Sequence, residues 1–116
     1  MDLNAIKNLL DFEIAQIVDS TRRSIALALL IPPKNLSLAW EYGSPGDRFD
    51  CWLIGKSCDD KTGFVFCQEG FGPSYPWGFV ALDNESMGSD DRWYAGLEDT
   101  LIGVGILDAP PGYEVP

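Results

Sequence analysis

Leu3, Ile6, Leu10, Ile14 and Ile17 recur at spacings of three and four, with Lys7, Asp11 and Asp19 elsewhere on the wheel. That spacing predicts a helix over residues 3 to 19 that buries one face. The next stretch, Ser24 to Ile31, is apolar on all sides, so periodicity leaves open a continued helix or a buried strand. Pro32-Pro33 is expected to stop either one, because proline lacks the amide hydrogen that both need. From Leu36 the period changes to two: Leu36, Leu38, Trp40 and Tyr42 alternate with Ser37, Ala39 and Glu41, the pattern of a strand with one face on a core. A turn at Gly43 to Asp47, a strand at Phe49 to Ile54, a turn at Asp59 to Gly63 and a strand at Phe64 to Cys67 complete an antiparallel meander.

The segment Gly70-Phe71-Gly72-Pro73-Ser74-Tyr75-Pro76 reads as a loop leading into a short strand at Trp77 to Leu82. Past the polar stretch Asp83 to Asp91, helical spacing returns at Trp93, Leu97, Leu101 and Val104, with Glu98 and Asp99 in a first turn where acids suit the helix dipole. The tail from Asp108 holds three prolines and is expected to be extended. The expected fold is one α+β domain over residues 1–116. It comprises a helical segment at 1–34, an antiparallel sheet of four or five strands built mainly at 35–82, a loop and short C-terminal helix at 83–107, and the tail at 108–116. A length of 116 residues with 46% hydrophobic content supports one packed core.

Charge divides the chain more sharply than hydropathy does. Residues 1–34 carry four acids and four bases, whereas residues 35–116 carry fourteen acids and four bases, so the later part accounts for the whole net charge of −10. All four tryptophans and all four tyrosines lie in that acidic part. Such a surface repels nucleic-acid phosphates and anionic membranes and attracts basic proteins, by steering that weakens with salt. Neither a nucleic-acid nor a membrane partner is expected.

Candidate chemistry is thin. The chain has no histidine, which excludes Ser-His-Asp and Cys-His nucleophilic arrangements and imidazole-dependent metal centres. Cys51, Cys58 and Cys67 form no CxxC pair, and reduced buried thiols in a cytoplasmic protein are the expected reading. The chain opens on an amphipathic pattern without a basic leader, which fits the same compartment. The run from Asp83 to Gly88 fails the calcium-loop pattern, since Met87 takes the fifth position and Tyr94 the twelfth. No metal or cofactor is expected. Glu41, Asp47, Asp50 and Glu69 on or beside neighbouring strands leave a carboxylate-pair enzyme as one alternative. Trp40, Trp52, Phe64 and Phe66 at strand spacing read as core. Phe71, Tyr75 and Trp77 among glycines and prolines, and Trp93 and Tyr94 after the acidic pair Asp90-Asp91, are the rings expected to meet a partner.

The strings Trp40-Glu41-Tyr42-Gly43-Ser44-Pro45-Gly46-Asp47-Arg48, Gly63 to Pro73, Pro76-Trp77-Gly78, and Met87-Gly88 with Trp93-Tyr94 and Leu97-Glu98-Asp99, resemble a family of small acidic bacterial proteins. That family is similar to the immunity proteins that accompany polymorphic or contact-dependent toxins. The resemblance covers about residues 36–102 and leaves the N-terminal third outside it. It implies a cytoplasmic protein that binds and blocks a cognate basic toxin domain, often a nuclease, and it carries over no catalytic residue. The expected partner-binding residues are Glu41, Asp47, Asp50, Glu69, Asp90 and Asp91 for steering and pairing, with anchors among Phe71, Tyr75, Trp77, Trp93 and Tyr94. A small-molecule or peptide binding module with an aromatic pocket between sheet and loop is the competing reading.

Overall fold

Asp2 and Asp19 each open a helix by accepting a backbone N–H three residues on, Ala5 at 2.8 Å and Arg22 at 2.9 Å. In the computed structural model, residues 1–114 are described, and the helices are α1 (Leu3–Gln16) and α2 (Ser20–Leu29). The single helix expected over 3 to 19 is therefore two. Ile17 turns into extended backbone, and its carbonyl accepts from the Arg23 guanidinium at 2.9 Å instead of continuing the ladder. The apolar run at 24 to 31 serves both elements left open by periodicity: it stays helical through Leu29 and enters strand β1 (Leu30–Ala39) at Leu30.

Pro32-Pro33 ends neither element. Both prolines lie inside β1, where the register against β2 (Arg48–Lys56) shifts between Leu30 and Lys34. β1 pairs on only one side there, and an irregularity on an edge strand needs no amide hydrogen from either ring. The sheet thus begins at residue 30 rather than 35. It continues through β3 (Thr62–Phe66), β4 (Trp77–Ala81) and β5 (Trp93–Tyr94), all antiparallel neighbours in chain order, before α3 (Leu97–Gly103). Trp93, expected to start the C-terminal helix, is a strand residue. Asp90–Arg92 forms a single 3-10 turn ahead of it. The α+β class, the five antiparallel strands and the short C-terminal helix agree with the sequence reading.

Strand alternation gives the sheet two buried faces. Ile54, Phe64, Phe66 and Trp77 meet Ile6, Leu10, Ile17 and Ala26 of the N-terminal segment and Leu97, Leu101 and Leu107 near α3. Leu38, Cys51, Leu53, Val65, Cys67 and Val80 point the other way, where no helix lies. That second face is covered by connections, which supply Phe71 and Met87, and by Trp93 of β5. Backbone bonds fix the cover in place: the Ala39 N–H donates to the Glu85 carbonyl at 2.7 Å, and the Met87 N–H to the Ala39 carbonyl at 3.1 Å. The Ala39–Ser86 bridge is parallel, so the segment after β4 returns to the free edge of β1 and curls the sheet towards closure.

Two glycines allow this packing. Gly78 faces Trp93 across β4 and β5, and a Cβ there would lie 2.5 Å from the indole. Gly70 has φ +70°, and a Cβ would lie 2.5 Å from the Met87 methyl. On the helical side, α3 lacks its own capping side chain because Gly96 occupies that position. The Glu13 carboxylate supplies the cap from α1, accepting the Leu97 N–H at 2.8 Å. Burial raises the Glu13 pKa against the lowering effect of that bond, with Asp99 raising it further. Arg22 ties α2 to the same corner through Glu98 at 3.2 Å and the Asp108 carbonyl at 2.7 Å. The tail is not extended as far as it is described: it turns at Pro111-Gly112, and the Tyr113 hydroxyl donates to Asp99. Residues 115 and 116 of the expected tail lie outside the described residues.

Candidate functional site

In a meander the first and third connections emerge at the same end of the sheet. Here these are residues 40–47, between β1 and β2, and residues 67–76, between β3 and β4. The bridge from Ala39 to Ser86 brings the connection that follows β4 to that end as well. Glu41 and Asp47 lie in the β1–β2 connection, Glu69, Phe71 and Tyr75 in the β3–β4 connection, and Asp90 and Asp91 in the β4–β5 connection. Asp50 stands near the start of β2 at that end. The far end of the sheet carries the β2–β3 turn, where Lys56 and Lys61 offset Asp59 and Asp60.

Aromatic rings bind the three connections into one unit. Trp40 packs on Tyr42 at 5.0 Å, on Phe49 at 5.4 Å and edge-on to Phe71 at 4.9 Å, and Phe71 continues to Trp93 at 5.7 Å. Each such pair contributes about 0.5–1.5 kcal/mol beyond the area it buries. The cluster is solid beneath and open at the rim. Tyr42 is 61% exposed and Tyr75 43% exposed. Phe71, Tyr75 and Trp93 line a cavity of about 400 Å³ with the carboxylate of Asp90 at its edge. A second cavity of about 350 Å³ joins Asp50 and Glu69 with Trp52, Asn35 and Gln68.

Glu41, Asp47, Asp50, Glu69, Asp90 and Asp91 are all exposed. Among the described residues the ion pairs are Arg22–Glu98 at 3.2 Å and Arg48–Glu85 at 3.9 Å, and neither uses any of these six acids. Two of the six have local duties. Asp47 accepts the Ser44 N–H at 2.8 Å and closes its own turn, while Asp91 accepts from the Ser89 hydroxyl ahead of the 3-10 turn. Two bases adjoin these acids in sequence: Arg48 is engaged with the Ser37 hydroxyl and carbonyl at 2.8 and 2.7 Å, and the Arg92 guanidinium lies over the Phe79 ring at 5.9 Å.

Three of the expected rings are placed otherwise. Trp77 is buried on the helix-covered face, packed on Phe66 at 4.8 Å, because strand parity from Phe79 turns it inward. Tyr94 is half-buried with its ring against Gly103 of α3. Trp93 is 4% exposed, and its indole N–H donates to the Met87 carbonyl at 2.7 Å. It closes the floor of the cavity but does not present a ring to a partner. Trp40, read as core, is half-buried and packs against the loop-covered core, while Tyr42, from the same alternation, stands at the exposed rim of its cluster. The sequence signal for Tyr42 was its position directly before Gly43-Ser44-Pro45-Gly46, where the strand has already ended.

No helix among the described residues is long and apolar enough to cross a membrane. No family model, curated protein or solved structure matches the chain.

Proposed function

We propose that the chain is an immunity protein, a binding protein that blocks a cognate basic toxin domain, of nuclease type, by occluding it. The observation that carries this reading is the gathering of six exposed acids, none in an ion pair among the described residues, around open-rimmed aromatic rings at one end of the sheet. Exposed carboxylates beside Tyr42, Phe71 and Tyr75 supply steering from a distance and anchoring on contact. The resemblance of residues 36–102 to small acidic immunity proteins points the same way. No catalytic residue, metal or cofactor is assigned.

Co-purification from the native host, or binding to the product of the adjacent upstream gene, tests the proposal. Association with a basic protein is expected to weaken by one or more orders of magnitude between about 0.1 and 1 M salt, as the screening length falls from roughly 10 to 3 Å. The Asp90→Asn, Asp91→Asn variant should lose both affinity and toxin neutralisation. Absence of a protein partner, or binding indifferent to salt, would overturn the proposal.

The 400 Å³ cavity of Phe71, Tyr75, Trp93 and Asp90 favours a second reading, a module that holds a small molecule or peptide. A thermal-shift screen separates the two, since a cationic or aromatic compound that stabilises the isolated chain would favour the second.

A further inference from the structure

Cys51 and Cys67 stand directly across from one another. β2 and β3 pair Trp52 with Phe66 and Leu53 with Val65, and that register carried one residue further sets Cys51 opposite Cys67. Cys67 stays beside β2 at this point, since its thiol donates to the Asp50 carbonyl, one residue before Cys51, at 3.7 Å. Both side chains enter the loop-covered core, at 1% and 2% exposure, where the Cys51 thiol donates to the Phe49 carbonyl at 3.6 Å and each thiol shifts the other's ionisation. Directly opposed antiparallel residues have Cα atoms about 4.5 or 5.5 Å apart, and a disulfide accepts about 4.4–6.8 Å. Cys58, the third cysteine, is exposed in the β2–β3 turn at the other end of the sheet.

We infer that Cys51 and Cys67 form an oxidisable pair that closes a cross-strand disulfide. The two sulfurs have unequal roles. Cys67 is among the residues bordering the cavity shared by Asp50, Glu69 and Trp52, and Cys51 is not. Interaction between the two thiols lowers the Cys67 pKa and, together with burial and the nearby carboxylates, raises that of Cys51. Cys67 is therefore the attacking sulfur. Its thiolate displaces one thiolate from a low-molecular-weight disulfide such as oxidised glutathione, giving a mixed disulfide. The Cys51 sulfur, on losing its proton, then attacks the Cys67 sulfur and releases the second small thiol. Two protein thiols are oxidised, one small disulfide is reduced to two thiols, and no other reactant is needed. The bond fastens β2 to β3 at the end that presents Asp50 and Glu69, and it stands independently of the proposed partner.

The experiment uses the full chain with Cys58→Ser, incubated under native conditions with oxidised glutathione. Intact mass is expected to fall by two hydrogens, peptide mapping to join Cys51 to Cys67, and Tm to rise by about 5 °C or more, reversibly with dithiothreitol. Adding Cys51→Ala should leave a glutathione adduct on Cys67 with no gain in Tm. Two thiols that stay free, a stable glutathione adduct with Cys51 present, or a bridge that forms only in denaturant would each overturn the inference.

Discussion

The two faces of the sheet are buried by different means. Helices from both ends of the chain cover one face with side chains at regular spacing, and their ends are held by caps, including the Glu13 carboxylate borrowed by α3. Loops cover the other face, and their hold comes from a short parallel bridge, two close glycine contacts and a chain of rings. Five of the six exposed acids lie in connections, while Asp50 lies on the helix-covered face beside Trp52. A surface made of connections costs little to vary in length and charge, while the helical layer carries the packing that keeps the sheet folded. Under the proposed function, the difference places stability on one side of the sheet and recognition on the other.

Substitutions on the two sides should therefore separate. Phe64→Ala, in the helix-covered core at 1% exposure, is expected to cost about 3–5 kcal/mol, read by denaturant unfolding. Gly78→Ala is expected to cost about 1–3 kcal/mol, because the new methyl collides with the Trp93 ring and the ring has to move. Its distinguishing signature is a shift in tryptophan emission together with weaker partner binding. Asp47→Ala removes the acceptor of the Ser44 N–H and should cost about 1 kcal/mol, and Asp47→Asn should restore most of it. A loss of partner binding that Asn does not restore would make Asp47 a charge contact as well as a turn closure.

The smallest effect concerns pH. Burial holds the Glu13 carboxyl above its ordinary value of 4.5 in the folded chain, so folding favours its protonated form. Its contribution to stability is full below 4.5 and is lost as pH rises through the raised folded value. Glu13→Gln should abolish this decline, leaving a flatter stability profile than the wild type on the acid side of neutrality, measured by thermal melts across pH. A wild-type profile with the opposite slope at this residue would show that the cap, not burial, dominates.

The helical side was the legible side. Ile6, Leu10 and Ile17 fall in the core at the spacing the sequence displays, and Leu97 and Leu101 do the same. The break at Ile17 was not legible from hydropathy, since the apolar period runs through it, but Asp19 followed by Ser20-Thr21 is a capping signal. Pro32-Pro33 misled because proline rules depend on whether a strand lies at an edge, which is a property of the finished sheet. On the loop side, Phe71 and Tyr75 were legible as rings among glycines and prolines. Trp77, Trp93 and Tyr94 were not: Trp77 is turned by strand parity, and the other two are drawn inward by Gly78 and Gly103, glycines distant in sequence whose missing side chains leave room for a ring. The acids were legible as a composition, and their gathering at one end came from the meander topology.

The most direct test of this division is amide hydrogen exchange on the chain alone and in complex with its captured basic partner. Protection gained in the complex is predicted over residues 40–47, 67–76 and 83–92, with α1 and α2 unchanged. Protection confined to residues 3–29, with those three connections exchanging as in the free chain, would contradict the account.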